Sequence, residues 1–206
     1  MPAPSDISIT NLTGDWVIDK SKTENLDAAL KLQGISWLRR KAVTSGTITL
    51  KITQTTTPDP SLMMQQGLRS IFPGVEQTRS LDWSEHEHVD AVSGAAIKVK
   101  SRFVAGTSTG GKVKPVLTVQ TGGAVDVASI EGYLTSEADG SGSGGLDLQR
   151  AFVQDFIWCE EGGWSAEQVW AIERDGDDVF LFCRAVAVKG SEVEKACLVY
   201  RLEEQQ

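Results

Sequence analysis

The 206-residue sequence predicts a mainly β fold in which about ten strands form a single closed antiparallel barrel. A short helix-turn-helix lid is expected directly after the first strand. Most of the chain consists of short runs that alternate apolar and polar residues and that end at turn residues, as strands do. One early segment, residues 25–46, instead has helical spacing and lies between the first two strand patterns. A closed barrel is favoured over an open sheet because closure leaves no unpaired strand edge.

The first elements along the chain are a strand, which contains Trp16, and the two helices of the lid. The first helix begins after Asn25, a favourable cap residue, and ends at Gly34, which tolerates the backbone conformation of a helix terminus. Ser36 can cap the second helix, and Gly46 ends it. These positions predict two short helices above one end of the barrel.

The remaining elements are predicted to be strands. Residues 47–53 alternate polar and apolar side chains, which is typical of a half-buried strand. Residues 63–71 are ambiguous between a strand and a helix. Residues 106–111 form a turn, and the other strand patterns cover residues 75–83, 86–92, 96–104, 115–120, 125–134, 152–159, 165–174, 178–188 and 192–202.

No change of composition divides the chain, so residues 1–206 are expected to form one domain. Residues 1–10 are predicted to be a loose leader. Residues 135–147 are rich in Gly and Ser and are predicted to be a flexible loop. The first residues lack the basic and apolar regions of a secretory signal, and the three cysteines have no CxxC spacing. We therefore expect a cytoplasmic protein with reduced thiols.

The charge and hydropathy of the chain exclude several classes of partner. The formal net charge is −8, which opposes binding to nucleic acid and to anionic membrane surfaces because both carry phosphates. No apolar run is long enough to cross a membrane, so no membrane insertion is expected.

Three short motifs resemble catalytic or metal-binding patterns. Residues 106–110 match G-x-S-x-G, and residues 106–112 almost match a phosphate-binding loop, but no helix follows either motif, so a hairpin turn is expected. His86, His88 and Asp90 share one face of a strand, where they can either bind a metal or form a polar outer surface. Because no further ligand cluster is visible, we predict no metal and no cofactor.

The lid segment resembles that of the intracellular lipid-binding proteins, the carriers of fatty acids and retinoids. Gly14-Asp15-Trp16 is similar to the G-x-W of that family and of the lipocalins. The resemblance implies a calycin-type barrel that binds a hydrophobic small molecule. The residues that match the lid pattern without a gap are Asn25, Asp27, Lys31, Gly34, Arg40 and Lys41.

The chain departs from the fatty-acid carriers at the positions that bind a carboxylate. Tyr200 matches the Tyr of their final R-x-Y, but Leu198 stands in place of the Arg. A second interior Arg of that family falls near Ala171. A carboxylate bound without these guanidinium groups would be buried and unpaired, which costs several kcal/mol. The resemblance therefore implies a bulky, weakly polar ligand, such as a terpenoid or a polyketide, in place of a fatty acid.

The chain also resembles the small lipocalin-like proteins of fungal natural-product pathways. Their motifs G-x-W, L-Q-G-x-x-W-x-x-R-K-A, L-D-W and W-x-A-x-Q-x-W match residues 14–16, 32–42, 81–83 and 164–170. This resemblance implies cofactor-free cyclisation or isomerisation of the ligand, including hetero-Diels–Alder chemistry, in secondary metabolism. Such a reaction needs orientation of the two reactive ends and one hydrogen bond. The alternative is a non-catalytic carrier of a hydrophobic ligand or lipid.

The candidate site residues follow from these resemblances and from strand pairing. Tyr200, Gln168 and Arg184 are the candidate catalytic donors. A final hairpin symmetric about Gly190 places Arg184 inside the barrel, whereas a one-residue slip places it in solvent. Asp155 and Glu167 lie in strand patterns, where either can face inward and act as an acid or a base. The predicted ligand-binding residues are Leu30, Trp37, Arg40, Trp83, Trp158, Trp170, Phe180, Phe182 and Leu198.

Overall fold

A ten-stranded antiparallel sheet forms the body of the molecule and curls into a nearly closed barrel. The structure is a computed structural model that describes residues 6–69, 71–122, 125–139 and 147–203, without the side chains of Phe72 and Asp139. Its strands follow the order β4-β3-β2-β1-β13-β12-β11-β10-β6-β5 in the elements defined next. The predicted mainly β barrel is confirmed.

The described residues form thirteen strands and three α-helices. The helices are α1 (Leu26–Leu32), α2 (Trp37–Ser45) and α3 (Val127–Leu134). The strands are β1 (Gly14–Ile18), β2 (Ile48–Thr55), β3 (Ser61–Leu68), β4 (Phe72–Ser80), β5 (Asp82–Val89), β6 (Ala96–Val104), β7 (Gly106–Thr109), β8 (Lys112–Pro115), β9 (Ala138–Asp139), β10 (Phe152–Cys159), β11 (Trp164–Asp175), β12 (Asp178–Lys189) and β13 (Glu192–Leu202).

Side chains, and not a backbone ladder, bridge the one gap in the barrel. β4 and β5 are the two edges of the ten-stranded sheet. The side-chain amide of Gln77 donates to the carbonyl of Val89 at 3.4 Å, and the backbone N–H of Ser80 donates to Nε2 of His86 at 3.2 Å. These bonds hold the two edges together without the regular pairing seen between the other strands.

The helices α1 and α2 follow β1, as the sequence predicts. Asn25 precedes α1 in the left-handed conformation, with φ of 57°, which Asn adopts more readily than most residues. Its side chain does not cap the helix; it donates to the carbonyl of Lys195 at 2.7 Å and so joins the lid to β13. Arg40 of α2 donates to Asp27 at 3.2 Å and to the carbonyl of Ile35 at 2.9 Å, which ties the two helices together.

A second layer covers the outer face of β10, β11 and β12. We call residues 105–122 and 125–139 the outer layer; it contains the small sheet β7-β8-β9 and α3. Ile130 and Leu134 of α3 are fully buried against Val169 and Val186, which point out of the barrel. The outer layer therefore gives these strands a second hydrophobic core outside the barrel.

Several predictions along the chain are wrong. Residues 125–134 form α3 and not a strand, because Asp126 caps a helix by accepting from the backbone N–H of Ser129 at 3.1 Å. Residues 116–120 are not a strand. The predicted leader packs into the core where it is described, since Ile7 and Ile9 are buried. Of the predicted loop over residues 135–147, residues 138–139 form β9, and residues 140–146 lie outside the described residues.

The register of the last hairpin differs by one residue from symmetry about Gly190. Lys189 pairs with Glu192, so the centre of the turn lies between two residues and not on the glycine. Arg184 consequently pairs with Cys197, and Cys183 pairs with Leu198. Since a one-residue slip exchanges the two faces of a strand, the predicted inward orientation of Arg184 is wrong.

Candidate functional site

A cavity of about 450 Å³ lies inside the barrel beneath the lid. Leu26 and Leu30 of α1 and Val43 of α2 line its lid end. Trp170 and Tyr200 line its wall on β11 and β13. Most of the lining side chains are apolar, so the cavity suits a hydrophobic molecule.

Small residues on neighbouring strands leave room for this cavity. Ala166 of β11, Ala185 of β12 and Ala196 of β13 all project inward and line it. Inward-facing residues of a small barrel usually fill its interior, and alanine fills little of it. The cavity therefore follows directly from the side-chain sizes on three consecutive strands.

A buried ion pair lies at the polar part of the wall. Nη1 of Arg79 donates to Oδ2 of Asp155 at 2.7 Å, and their side chains are 10 % and 0 % exposed. Trp170 Nε1 donates to the same oxygen at 2.8 Å, and Ser101 donates to Oδ1 at 2.5 Å. Nη2 of Arg79 donates to Oε1 of Gln77 at 3.0 Å. Asp155 therefore has three donors, and its charge is compensated inside the barrel.

Tyr200 extends this polar region along the wall. Its ring stacks on Trp170 with 6.3 Å between the ring centroids. Burial raises the pKa of the Tyr200 phenol well above its ordinary value. The hydroxyl therefore stays protonated at neutral pH and can donate a hydrogen bond to a ligand.

Five of the residues predicted to form the site do line the cavity. All five lie on α1, β11 or β13 with inward side chains, and Gln168 supplies a neutral polar group. The five are Leu30, Gln168, Trp170, Leu198 and Tyr200. The structure thus brings together two of the three candidate catalytic donors.

The two other lid residues predicted to touch the ligand do not line the cavity. Trp37 is 63 % exposed, because the cavity-facing residues of α2 are Arg39, Ala42 and Val43, and Trp37 lies on a different face of the helix. Arg40 is held by Asp27 and by a backbone carbonyl between the helices. Its role is in the structure of the lid.

Three predicted residues of β12 point out of the barrel, on the face opposite to Cys183 and Ala185. Nη2 of Arg184 lies 3.5 Å from a carboxylate oxygen of Glu173 and 3.3 Å from the carbonyl of Glu137. The Lys22 ammonium lies over the ring of Phe180, 4.9 Å from its centroid. Phe182 packs against the second core beneath the outer layer. The predicted inward positions of all three are corrected by the observed register.

Trp83 and Trp158 also lie away from the cavity. Trp83 has a positive φ of 69° at a register irregularity in β5, and the guanidinium of Arg102 stacks over its ring at 4.3 Å. Trp158 points outward from β10, where the Lys100 ammonium lies 5.7 Å from its ring centroid. Both rings form cation–π contacts on the outside of the barrel.

The two carboxylates left open by the sequence lie on opposite faces of the barrel wall. Asp155 faces inward in the ion pair described above. Glu167 faces outward, where it accepts from the backbone N–H groups of Gln120 and Thr121 at 2.9 Å and 3.2 Å and from the side-chain amide of Gln154. Burial raises the pKa of Glu167 despite these donors. Glu167 therefore fastens the outer layer to the barrel and does not touch the cavity.

The remaining motifs do not form, in the described residues, the sites that they resemble. Residues 106–110 lie in the β7–β8 hairpin, without the following helix that a nucleophile elbow requires. His86 and His88 stack with 6.2 Å between their ring centroids, and burial lowers the pKa of His88. Within the described ranges, no group of three His, Cys, Asp or Glu side chains is arranged to hold a metal. None of the helices in those ranges has the length and apolar character of a membrane span.

Arg79 is the functional candidate that the sequence interpretation missed. The signal in the sequence is limited to strand alternation, which places Val75, Gln77 and Arg79 on one face of β4, the face that lines the cavity. A strand pattern alone does not reveal which alternate face is inward. Pairing of Arg79 with Asp155, from a distant strand, identifies that face.

Comparison with solved structures finds barrels with little sequence similarity. No protein-family model matches the sequence, and no curated protein matches it in sequence. The fluorescent protein UnaG is 16 % identical, with a TM-score of 0.51 over 93 % of this chain and 97 % of that chain. A fatty-acid-binding protein of Echinococcus granulosus is 10 % identical, with a TM-score of 0.50 over 94 % and 98 % of the two chains. These similarities show that the chain shares the antiparallel β-barrel fold of these two proteins.

Proposed function

We propose that this protein binds a hydrophobic small molecule inside its barrel and acts as a non-catalytic carrier. The observation that carries the proposal is the mostly apolar cavity of about 450 Å³, whose space is created by inward alanines. The lid covers one end of it, so a bound molecule is shielded from water. The structurally similar protein of Echinococcus granulosus is named as a fatty-acid-binding protein, which supports the same class of activity.

A blocking substitution tests binding in the barrel. Ala185→Phe places a large ring in the cavity, whereas Ala96→Phe adds the same ring at an exposed position on β6. We expect the wild-type protein and Ala96→Phe to bind diphenylhexatriene, with a rise in its fluorescence, and Ala185→Phe to lose this binding. Equal binding by both variants, with matching thermal melts, would place the probe elsewhere and contradict the proposal.

A second candidate function is cofactor-free cyclisation of the bound molecule in secondary metabolism. Neutral donors in a mostly apolar, water-shielded cavity favour it, because a hydrogen bond from Tyr200 or Gln168 can activate the electrophilic end of a folded substrate. Arg184 no longer belongs to this set because it points outward. Only two tyrosines are present, so Tyr133→Phe on α3 is the matched control for Tyr200→Phe.

The stereochemistry of the product separates catalysis from carriage. A test substrate carries an alkene and an electron-poor oxadiene, and its uncatalysed cyclisation gives a racemic product. A cyclase gives an excess of one enantiomer, which Tyr200→Phe diminishes and Tyr133→Phe preserves. A racemic product at the background rate would leave the carrier as the function.

The proposal includes a cytoplasmic location. Cys159, Cys183 and Cys197 are all free thiols, which is typical of reducing compartments. Microscopy of a fluorescent fusion in the source cells tests this part, and a signal confined to a membrane-bound organelle would contradict it.

A further inference from the structure

Arg79 retains donor capacity toward the cavity. A guanidinium has five N–H donors, and the structure uses one on Asp155 and one on Gln77. Nε of Arg79 makes no hydrogen bond to any residue that the structure describes. Nε is itself shielded from solvent, whereas Nη1 and Nη2 each carry a second N–H. Because Arg79 lines the cavity, a ligand oxygen can accept from one of these N–H groups.

Charge compensation determines which kind of oxygen fits. Asp155 lies directly behind Arg79, is fully buried, and already balances the guanidinium charge. A carboxylate on the ligand would bring a second negative charge beside Asp155 in a region of low dielectric. A neutral oxygen, such as that of a ketone, accepts the hydrogen bond without this repulsion.

The other cation in the cavity wall does not change this balance. Among the described lining residues, Arg39 is the second arginine. It lies on α2 at the lid end and donates to the carbonyls of Val92 and Ser93 at 3.1 Å and 2.7 Å. Arg39 therefore closes the lid end and makes no hydrogen bond to the pair at Arg79 among the described residues.

The position of Arg79 defines the orientation of the ligand. β4 starts beside the end of β3 that lies next to the lid, and Arg79 stands near its other end, paired with Leu62. Tyr200 and Trp170 join Arg79 in a polar strip, whereas Leu26, Leu30 and Val43 at the lid are apolar. The polar end of a ligand is expected to enter first.

We propose that the ligand carries one neutral oxygen acceptor, held by Arg79 at the inner end of the cavity, with its apolar part beneath the lid. This inference rests on the proposed function, since it names the class of molecule that the same cavity takes. It assigns Arg79 as a binding residue and Asp155 as the positioning residue that fixes the guanidinium and excludes anionic ligands.

Three matched probes test the oxygen: methyl nonyl ketone, undecanoate and undecane, each competing with diphenylhexatriene. We expect the wild-type protein to bind the ketone more tightly than undecanoate. Arg79→Met is expected to weaken the ketone about tenfold, the value of one hydrogen bond to a charged group, and to leave undecane unchanged. Asp155→Asn is expected to strengthen undecanoate about tenfold or more, because it leaves the charge on Arg79 uncompensated.

Removing one member of a buried ion pair can prevent folding, so the double variant Arg79→Met with Asp155→Asn is measured as well. It removes both charges and is expected to bind undecane normally and the ketone weakly. The inference is overturned if the variants bind the ketone and undecane equally weakly, or if the wild-type protein binds undecanoate more tightly than the ketone. In either case the proposed binding of a hydrophobic molecule in the barrel still holds. If none of the three probes nor diphenylhexatriene binds the wild-type protein, the proposed function itself fails.

Discussion

The buried pair of Arg79 and Asp155 should contribute to stability in a strongly coupled way. A double-mutant cycle of Arg79→Met, Asp155→Asn and their combination measures the coupling free energy between the two side chains. The two charged groups are 2.7 Å apart and almost fully buried. Each single variant leaves the partner charge in the barrel without its counter-charge, whereas the double variant leaves no charge there.

The structure sets the expected magnitudes. Charges separated by about 4 Å attract by about 4 kcal/mol at the effective dielectric constant of 20 that suits protein sites. Breaking a buried pair by removing one partner costs about 3–5 kcal/mol of the free energy of unfolding. In Arg79→Met, Ser101 and Trp170 still donate to Asp155. In Asp155→Asn, the amide oxygen can still accept from Trp170, and the Ser101 hydroxyl can accept from the amide N–H. We therefore expect about 3 kcal/mol for each single variant. The double variant is expected to lose about 2 kcal/mol, far less than the sum.

The assay is urea unfolding followed by tryptophan fluorescence, supported by thermal melts. For a chain of this size, about 3 kcal/mol corresponds to a fall in Tm of about 6–12 °C. The chain offers a matched control in the exposed pair of Arg69 and Glu203, whose atoms are 2.6 Å apart but whose side chains are 46 % and 39 % exposed. The same cycle there is expected to give a coupling below about 1 kcal/mol.

Additive effects at the buried pair would contradict a strong coupling between Arg79 and Asp155. If both single variants cost less than about 1 kcal/mol and the double variant costs their sum, the site is solvated and behaves like the surface pair. A solvated Asp155 would then no longer exclude anionic ligands.

Three further predictions concern the outer layer, the lid and the thiols. Because burial raises the pKa of Glu167 above its ordinary value of 4.5, the folded state binds this proton more tightly than the unfolded state does. The free energy of unfolding should therefore fall as pH rises from the ordinary pKa of Glu167 through its pKa in the folded state. Glu167→Gln should reduce this dependence on pH, measured by urea unfolding at several pH values. A pH dependence unchanged by the substitution would contradict the burial of Glu167 as its cause. Arg39→Ala removes the hydrogen bonds from α2 to the carbonyls of Val92 and Ser93. Diphenylhexatriene should then dissociate several-fold faster in stopped-flow experiments. An unchanged dissociation rate would mean that the ligand does not leave the cavity at the lid end. Burial raises the pKa of both Cys183 and Cys197, but of the two only Cys183 lines the cavity. Bound diphenylhexatriene should therefore slow the alkylation of Cys183 and leave the alkylation rate of Cys197 unchanged, as measured by peptide mass spectrometry. Equal protection of both thiols would argue against a ligand in the barrel.

The lid and the strands with one buried face could be predicted from the sequence, because their periodicity reflects a single apolar surface. α3 was missed because residues 125–134 contain alternating apolar residues that also suit a strand; Asp126 was the only helix-start signal. β12 was harder still. Its side chains are buried on both faces, inward against the cavity and outward against the outer layer, so hydrophobicity does not distinguish the two sides.

Which residues of β12 face the cavity therefore had to be predicted from the position of the turn. A shift of one residue in the turn places Arg184 inward in place of Cys183. Arg79 was missed for a related reason. Its functional significance comes from Asp155, 76 positions later in the chain, and local patterns carry no information about such a pairing. The candidate site could be predicted where the residues matched a known motif, as for Tyr200 and Leu198, and not where tertiary contacts create it.

The outer layer explains how this barrel can tolerate an interior of alanines. An unfilled cavity removes packing energy from the strands that surround it. Here those strands recover apolar contacts on their opposite face, where Ile130 and Leu134 pack on Val169 and Val186. Structural stability and cavity shape are thus assigned to different sides of β11 and β12. Substitutions on the inner side can therefore change the bound molecule while the packing that keeps the wall folded stays intact, which makes this barrel a favourable starting point for evolving new ligand specificities.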